Sequence, residues 1–120
     1  MAGITASGAA LMLTGFSGSA LFVSLHTADP GSSGTSEVSG GSPAYARKSI
    51  TWAAPSSSAM SNSAQVVFDV PTSTTIRYLG YWSAATGGTF YGSRILDAAQ
   101  TYGSQGTYTL AIGNITETIA

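Results

Sequence analysis

Cysteine is absent from the 120 residues. No disulfide framework, thiolate metal site or thiol nucleophile is therefore available. Charge is nearly as scarce. Lys, Arg, Asp and Glu make up 8% of the chain, against about 25% in a typical soluble domain. Four cations against five acids leave a net charge of −1. So few scattered cations cannot build the basic face that nucleic-acid binding requires, nor a polybasic patch for an anionic membrane. Long apolar runs are missing too. The longest is Ala9–Leu13, far short of the roughly 18 residues of a spanning helix. Neither a nucleic-acid partner nor membrane insertion is expected. The first cation is Arg47, so the positive start of a signal peptide is lacking and the N-terminus reads as mature sequence.

What remains is Gly, Ala, Ser and Thr, more than half of the chain. The length suits one domain with one modest core. A polar but almost uncharged surface favours association, so the chain suits a fixed assembly better than a concentrated free monomer.

Hydrophobic periodicity points to a mainly β protein. Residues 4–16 are the only plausible helix, with Ile4, Leu11, Met12 and Phe16 on one face. Gly8 and Gly15 weaken it, so it must dock on its own sheet or a neighbour. Residues 20–26 read as a buried strand. Asp29-Pro30-Gly31 is a turn by mechanism, with Pro30 fixing φ and Asp29 bonding its own downstream backbone. A long Gly/Ser loop follows over 31–43. Such loops inside a small domain are usually functional or mobile. Further strands are expected at 47–52, 65–70, 75–82, 89–95, 107–112 and 115–119. Val66, Phe68 and Val70 alternate against Val67 and Asp69. Over 75–82, simple alternation sets Ile76, Tyr78 and Trp82 against Arg77, Leu79 and Tyr81. Residues 84–88 turn the chain into a hairpin. Leu96–Thr101 has no clear period and allows a short helical turn. Gly113-Asn114 suits a primed hairpin turn between the last two strands. The expected fold is a single antiparallel β-sandwich or jelly-roll-like domain over 20–120, with an N-terminal arm or short helix over 1–19.

No catalytic constellation is visible. His26 is the only histidine, and no G-x-S-x-G elbow accompanies it. A strand-end histidine bonded to turn backbone explains it better than a hydrolase built on His26 and Asp29. The acids Asp29, Glu37, Asp69, Asp97 and Glu117 are scattered, without the spacing of a metal loop. No enzyme activity, cofactor or metal is expected. Arg47 or another arginine could pair with Glu37 or Asp69 across subunits. Tyr81 and Tyr91 flank the 84–88 turn and are candidates for an exposed contact with protein or sugar.

Several segments, taken in order, carry a resemblance. They are Leu21–Gly31 (LFVSLHTADPG), Glu37–Gly41 (EVSGG), Tyr45-Ala46-Arg47, Ile50–Trp52, Ser61-Asn62-Ser63, Pro71 with Thr75-Ile76, Gly80-Tyr81-Trp82, Ala84–Phe90 (AATGGTF) and Thr107-Tyr108. Together they resemble a family of small bacteriophage virion proteins, usually described as tail-fibre or minor tail proteins and frequent in phages of actinobacteria. The resemblance implies a non-enzymatic structural component, made in the host cytoplasm and placed on the exterior of the particle. Its partners would be other virion proteins, either tail or major capsid protein, and further copies of itself. A tail-associated role is expected first and capsid decoration second, with a carbohydrate-binding host-attachment module as a further alternative. Expected interface positions are Ile4, Leu11, Met12 and Phe16 in the arm, and Asp29, Glu37, Tyr45 and Arg47 in the loop region.

Overall fold

The computed structural model describes residues 14–16, 18, 21–54, 59–111 and 116–118. The strands are β1 (Phe22–His26), β2 (Lys48–Ser49), β3 (Ala59–Ser61), β4 (Val66–Val70), β5 (Thr74–Trp82), β6 (Phe90–Tyr102), β7 (Gly106–Leu110) and β8 (Thr116–Thr118). They pair antiparallel into a four-stranded sheet ordered β2-β1-β5-β6 and two ribbons, β3-β8 and β4-β7. Residues 14–16 and 18 are helical. The fold is mainly β and consistent with the expected sandwich. The expected helix positions Ile4, Leu11 and Met12 lie outside the described residues.

Burial follows from the alternation of side chains. In β4, Val66, Phe68 and Val70 are buried while Val67 faces solvent. The partner β7 sets Leu110 opposite Val66 and Tyr108 opposite Phe68, so both strands present one apolar face. That face packs on the four-stranded sheet through Val23, Leu25, Ile76, Leu79 and Tyr81. Phe68 sits at the centre with no exposed surface. Each such fully buried side chain contributes about 1.5–3 kcal/mol.

β1 is buried on both faces along most of its length, which explains its nearly continuous apolar run. Val23 and Leu25 face the core. Ser24 and His26 face the opposite side, beneath the 27–47 loop. The loop completes the outer edge of β1 as well. The Val38 N–H donates to the Leu25 carbonyl, the Thr27 N–H to Ser36, and the Tyr45 hydroxyl accepts from the Leu25 N–H. The Asp29 turn forms as expected, its carboxylate accepting the Gly31 N–H at 2.9 Å.

β5 departs from simple alternation. Its pairing with β6 passes from Ile76↔Gln100 to Tyr78↔Ile95, an irregularity that inserts three extra residues on β6. The local twist of such a bulge resets the faces. Ile76 before it, and Leu79 and Tyr81 after it, all enter the core, whereas Tyr78, Gly80 and Trp82 pair with His26, Ser24 and Phe22. The expected grouping of Ile76 with Tyr78 and Trp82 is therefore corrected. The same irregularity replaces the helical turn allowed for Leu96–Thr101, which is part of β6. A second irregularity lies beside Tyr91, between Tyr81↔Gly92 and Trp82↔Phe90.

The expected hairpin of the last two strands is also corrected. β7 pairs with β4, and β8 with β3. The turn residues Gly113-Asn114 lie outside the described residues. Pairing β7 with β4 joins two apolar faces over the core, which a local hairpin with the polar β8 would not do. β3 had no expectation, because three residues of Ala, Met and Ser carry no readable period.

Candidate functional site

The outer side of the four-stranded sheet carries a polar cluster rather than a second apolar core. The Trp82 indole N–H donates to Ser24 Oγ at 2.8 Å. Ser24 Oγ lies 2.6 Å from His26 Nε2. His26 Nδ1 lies 2.8 Å from the Thr35 carbonyl. A carbonyl only accepts, so Nδ1 carries the proton and the Ser24 hydroxyl donates to Nε2. The order is fixed from Trp82 through Ser24 and His26 to the loop.

A serine hydroxyl on a histidine nitrogen has the outline of a nucleophile and its base. Here the pair is sealed. Ser24 and His26 have no exposed surface, Ser24 Oγ already accepts from Trp82, and Asp29 is engaged with its own turn. His26 therefore does the structural work expected of a strand-end histidine. Its place also sets a pH dependence. Burial holds the His26 pKa below its ordinary 6.5, against an opposing contribution from the Thr35 carbonyl. Below that pH the unfolded chain takes up a proton that the folded chain refuses, so stability falls as pH falls. His26→Gln, compared by denaturant titration between about pH 5 and 6.5, should flatten this slope. An unchanged slope would contradict the assignment.

Beside this cluster Glu37, Tyr45 and Arg47 meet. Arg47 Nε and Nη2 donate to the two Glu37 oxygens at 3.0 Å each. Its Nη1 donates to the carbonyls of Ala84 and Gly87 in the turn after β5. The Tyr45 hydroxyl donates to Glu37 Oε2 at 2.8 Å. The guanidinium lies over the Trp82 ring, 3.6 Å from its centroid. Arg47 is 9% exposed and Glu37 22%, so this pair is screened far less than a surface ion pair. Burial also pushes the Tyr45 pKa well up. The arrangement clasps loop 36–47 to the 83–88 turn. A shallow cleft of about 330 Å³ opens beside it, lined by Glu37, Val38, Tyr45, Arg47, Ala85 and Thr86.

Of the residues expected at an interface, Glu37, Tyr45 and Arg47 are thus brought together, with one another as partners inside the chain. Asp29 stands apart in its turn. Phe16 packs edge-on against Tyr81, Trp52 and Tyr91, with centroids 5.4, 5.9 and 6.4 Å away. Tyr81, expected as an exposed contact, is 2% exposed. The reset of faces along β5 turns it inward, and Phe16 covers it. Tyr91 is 43% exposed, beside the second irregularity of β6. Sequence reasoning did not single out Ser24 or Trp82 for this site, nor Gly80, whose Cα lies against Ser24 and His26. The only signal in the sequence is the small residues Ser24 and Gly80 within two otherwise bulky strands, with Trp82 two positions beyond Gly80.

Among the described residues, no three His, Asp or Glu side chains gather as metal ligands, and no helix is long and apolar enough to cross a membrane. A comparison with curated proteins finds no match. A family model described as podophage GP4 fiber I protein gp80 matches residues 12–118, nearly the whole chain. The sandwich, with its clasped loop and sealed histidine, belongs to this family of phage fibre proteins.

Proposed function

We propose that the chain is a non-enzymatic structural component of the phage tail, exposed on the particle and assembled with other virion proteins and with copies of itself. The observation that carries this reading is the fibre-family match over residues 12–118. The chemistry of the cluster supports it. The one histidine is consumed in holding a loop, and Arg47 is consumed in clasping that loop to a turn. Both devices stiffen a surface, as a subunit that must present the same face in every copy requires. The division into an N-terminal arm over 1–19 and a sandwich over 20–120 belongs to the same proposal, supported by the packing of Phe16 on Tyr81 and Trp52. Quantitative mass spectrometry of purified particles against the major capsid protein tests the reading. A low copy number is expected. A copy number equal to that of the capsid protein would favour head decoration, and absence from the particle would end the structural reading.

Tyr91 favours a second role within the first. An exposed tyrosine ring beside Phe16 offers a face for stacking on a host sugar. Calorimetry against host cell-wall glycans should then give heat that Tyr91→Ala removes. No heat from the unaltered protein would end the carbohydrate reading.

A further inference from the structure

The cleft beside the clasp has for its walls the loop and the turn that the clasp joins. At about 330 Å³ it lies at the small end of sites that take small molecules, roughly 300–1,000 Å³. Gly40 and Ala46 on the loop side, and Ala85 and Gly87 on the turn side, carry little or no side chain. Glu37 lines the cleft and keeps 22% of its side chain exposed.

The clasp leaves two polar positions unused. An arginine has five N–H donors, and an ionised carboxylate has about four acceptor positions. Arg47 directs two donors to Glu37 and two to the carbonyls of Ala84 and Gly87. Glu37 Oε2 accepts from both Arg47 and Tyr45, and Oε1 accepts from Arg47. Among the described residues, one N–H of Nη2 and one acceptor position of Oε1 remain, on atoms 3.0 Å apart. Both are preformed, because the two turn carbonyls and the Trp82 ring hold the guanidinium in place. Thr86 adds a hydroxyl to the same cleft, able to donate and to accept.

These groups select a chemistry. Glu37 and Arg47 neutralise each other, so neither a cation nor an anion finds an unpaired charge there. A neutral hydroxyl fits, because it can donate to Oε1 or accept from Nη2. Neighbouring hydroxyls on a sugar ring are spaced much as these two atoms are. We propose that the cleft between the 36–47 loop and the 83–88 turn binds a neutral saccharide through two adjacent hydroxyls, one donating to Glu37 Oε1 and the other accepting from Arg47 Nη2. The site rests on the carbohydrate reading above for its class of ligand, but Tyr91 is not among its lining residues.

The test titrates the isotope-labelled full chain with neutral oligosaccharides released from host cell wall, followed by NMR. Saturable shifts are expected at the backbone N–H of Gly40, Thr86 and Gly87 and at the Arg47 Nε–H. Added salt should leave the binding unchanged, since no net charge is neutralised. Ala46→Leu and Ala85→Leu fill the cleft from opposite sides, at exposed positions outside the clasp. Each should weaken binding about tenfold or more at an unchanged urea midpoint. Binding that both variants leave intact would overturn the proposal, as would binding that salt abolishes. Shifts confined to the surroundings of Tyr91 would overturn it and leave the Tyr91 reading standing. No saturable shift anywhere would end both, and the place on the tail would survive.

Discussion

Arg47→Ala is expected to lower the stability of the folded chain by about 3 kcal/mol, within the range for breaking a largely buried ion pair. The substitution removes one cation and four hydrogen bonds. It leaves the Glu37 carboxylate with Tyr45 as its remaining donor, frees two carbonyls of the 83–88 turn, and uncovers the face of Trp82. Arg47→Lys should recover little. An ammonium cannot bond both Glu37 oxygens and both turn carbonyls at once, nor lie flat on the indole. A shift in the urea midpoint reads the loss, and altered tryptophan fluorescence reports the uncovered ring. A midpoint change worth less than about 0.5 kcal/mol, the scale of an ordinary surface substitution, would mean that the clasp is ornamental.

Gly80→Ala should cost about as much, by overpacking. A Cβ at position 80 would stand 2.5 Å from Ser24 Oγ, 2.6 Å from His26 Nε2 and 3.0 Å from the Phe90 ring. These neighbours cannot yield cheaply, because Ser24 and His26 are held by Trp82 and Thr35. Removing the nearer obstacle should give part of the loss back. Ser24→Ala in the same chain is therefore predicted to be less destabilising than the sum of the two single changes, a coupling that a thermodynamic cycle measures. Strict additivity would show that the two positions do not meet. Gly34 closes the layer from above. A Cβ there would strike the Trp82 ring, and its φ of +77° disfavours any side chain, so Gly34→Ala should fail in the same way.

The contrast between core and site explains what the sequence made legible. Phe68 and its neighbours could be read because a strand facing solvent on one side writes its burial as alternation. β1 could be read because burial on both faces writes it as a continuous run. The Asp29 turn and the role of His26 were legible because each needs only its own backbone neighbourhood. Tyr81 was misread because an irregularity at Ile76/Tyr78 changes which side a residue faces, and nothing in TIRYLGYW marks where that happens. The pairing of β7 with β4 over an intervening stretch of about 35 residues was hidden for a similar reason. Adjacent strands suggest hairpins, and long-range pairing is decided by which faces complete the core. Glu37 and Arg47 were noticed as charges in a chain that has few. That they bind each other, and lock a loop against a turn nearly forty residues away, is a product of the fold.

The family is one of phage fibre proteins, and a place on the tail is what the proposed role requires. Gold-labelled antibody against the chain, applied to intact particles and viewed by electron microscopy, tests that claim most directly. Label confined to the tail is expected. Label spread over the head would contradict it and make the sandwich a capsid-decorating subunit.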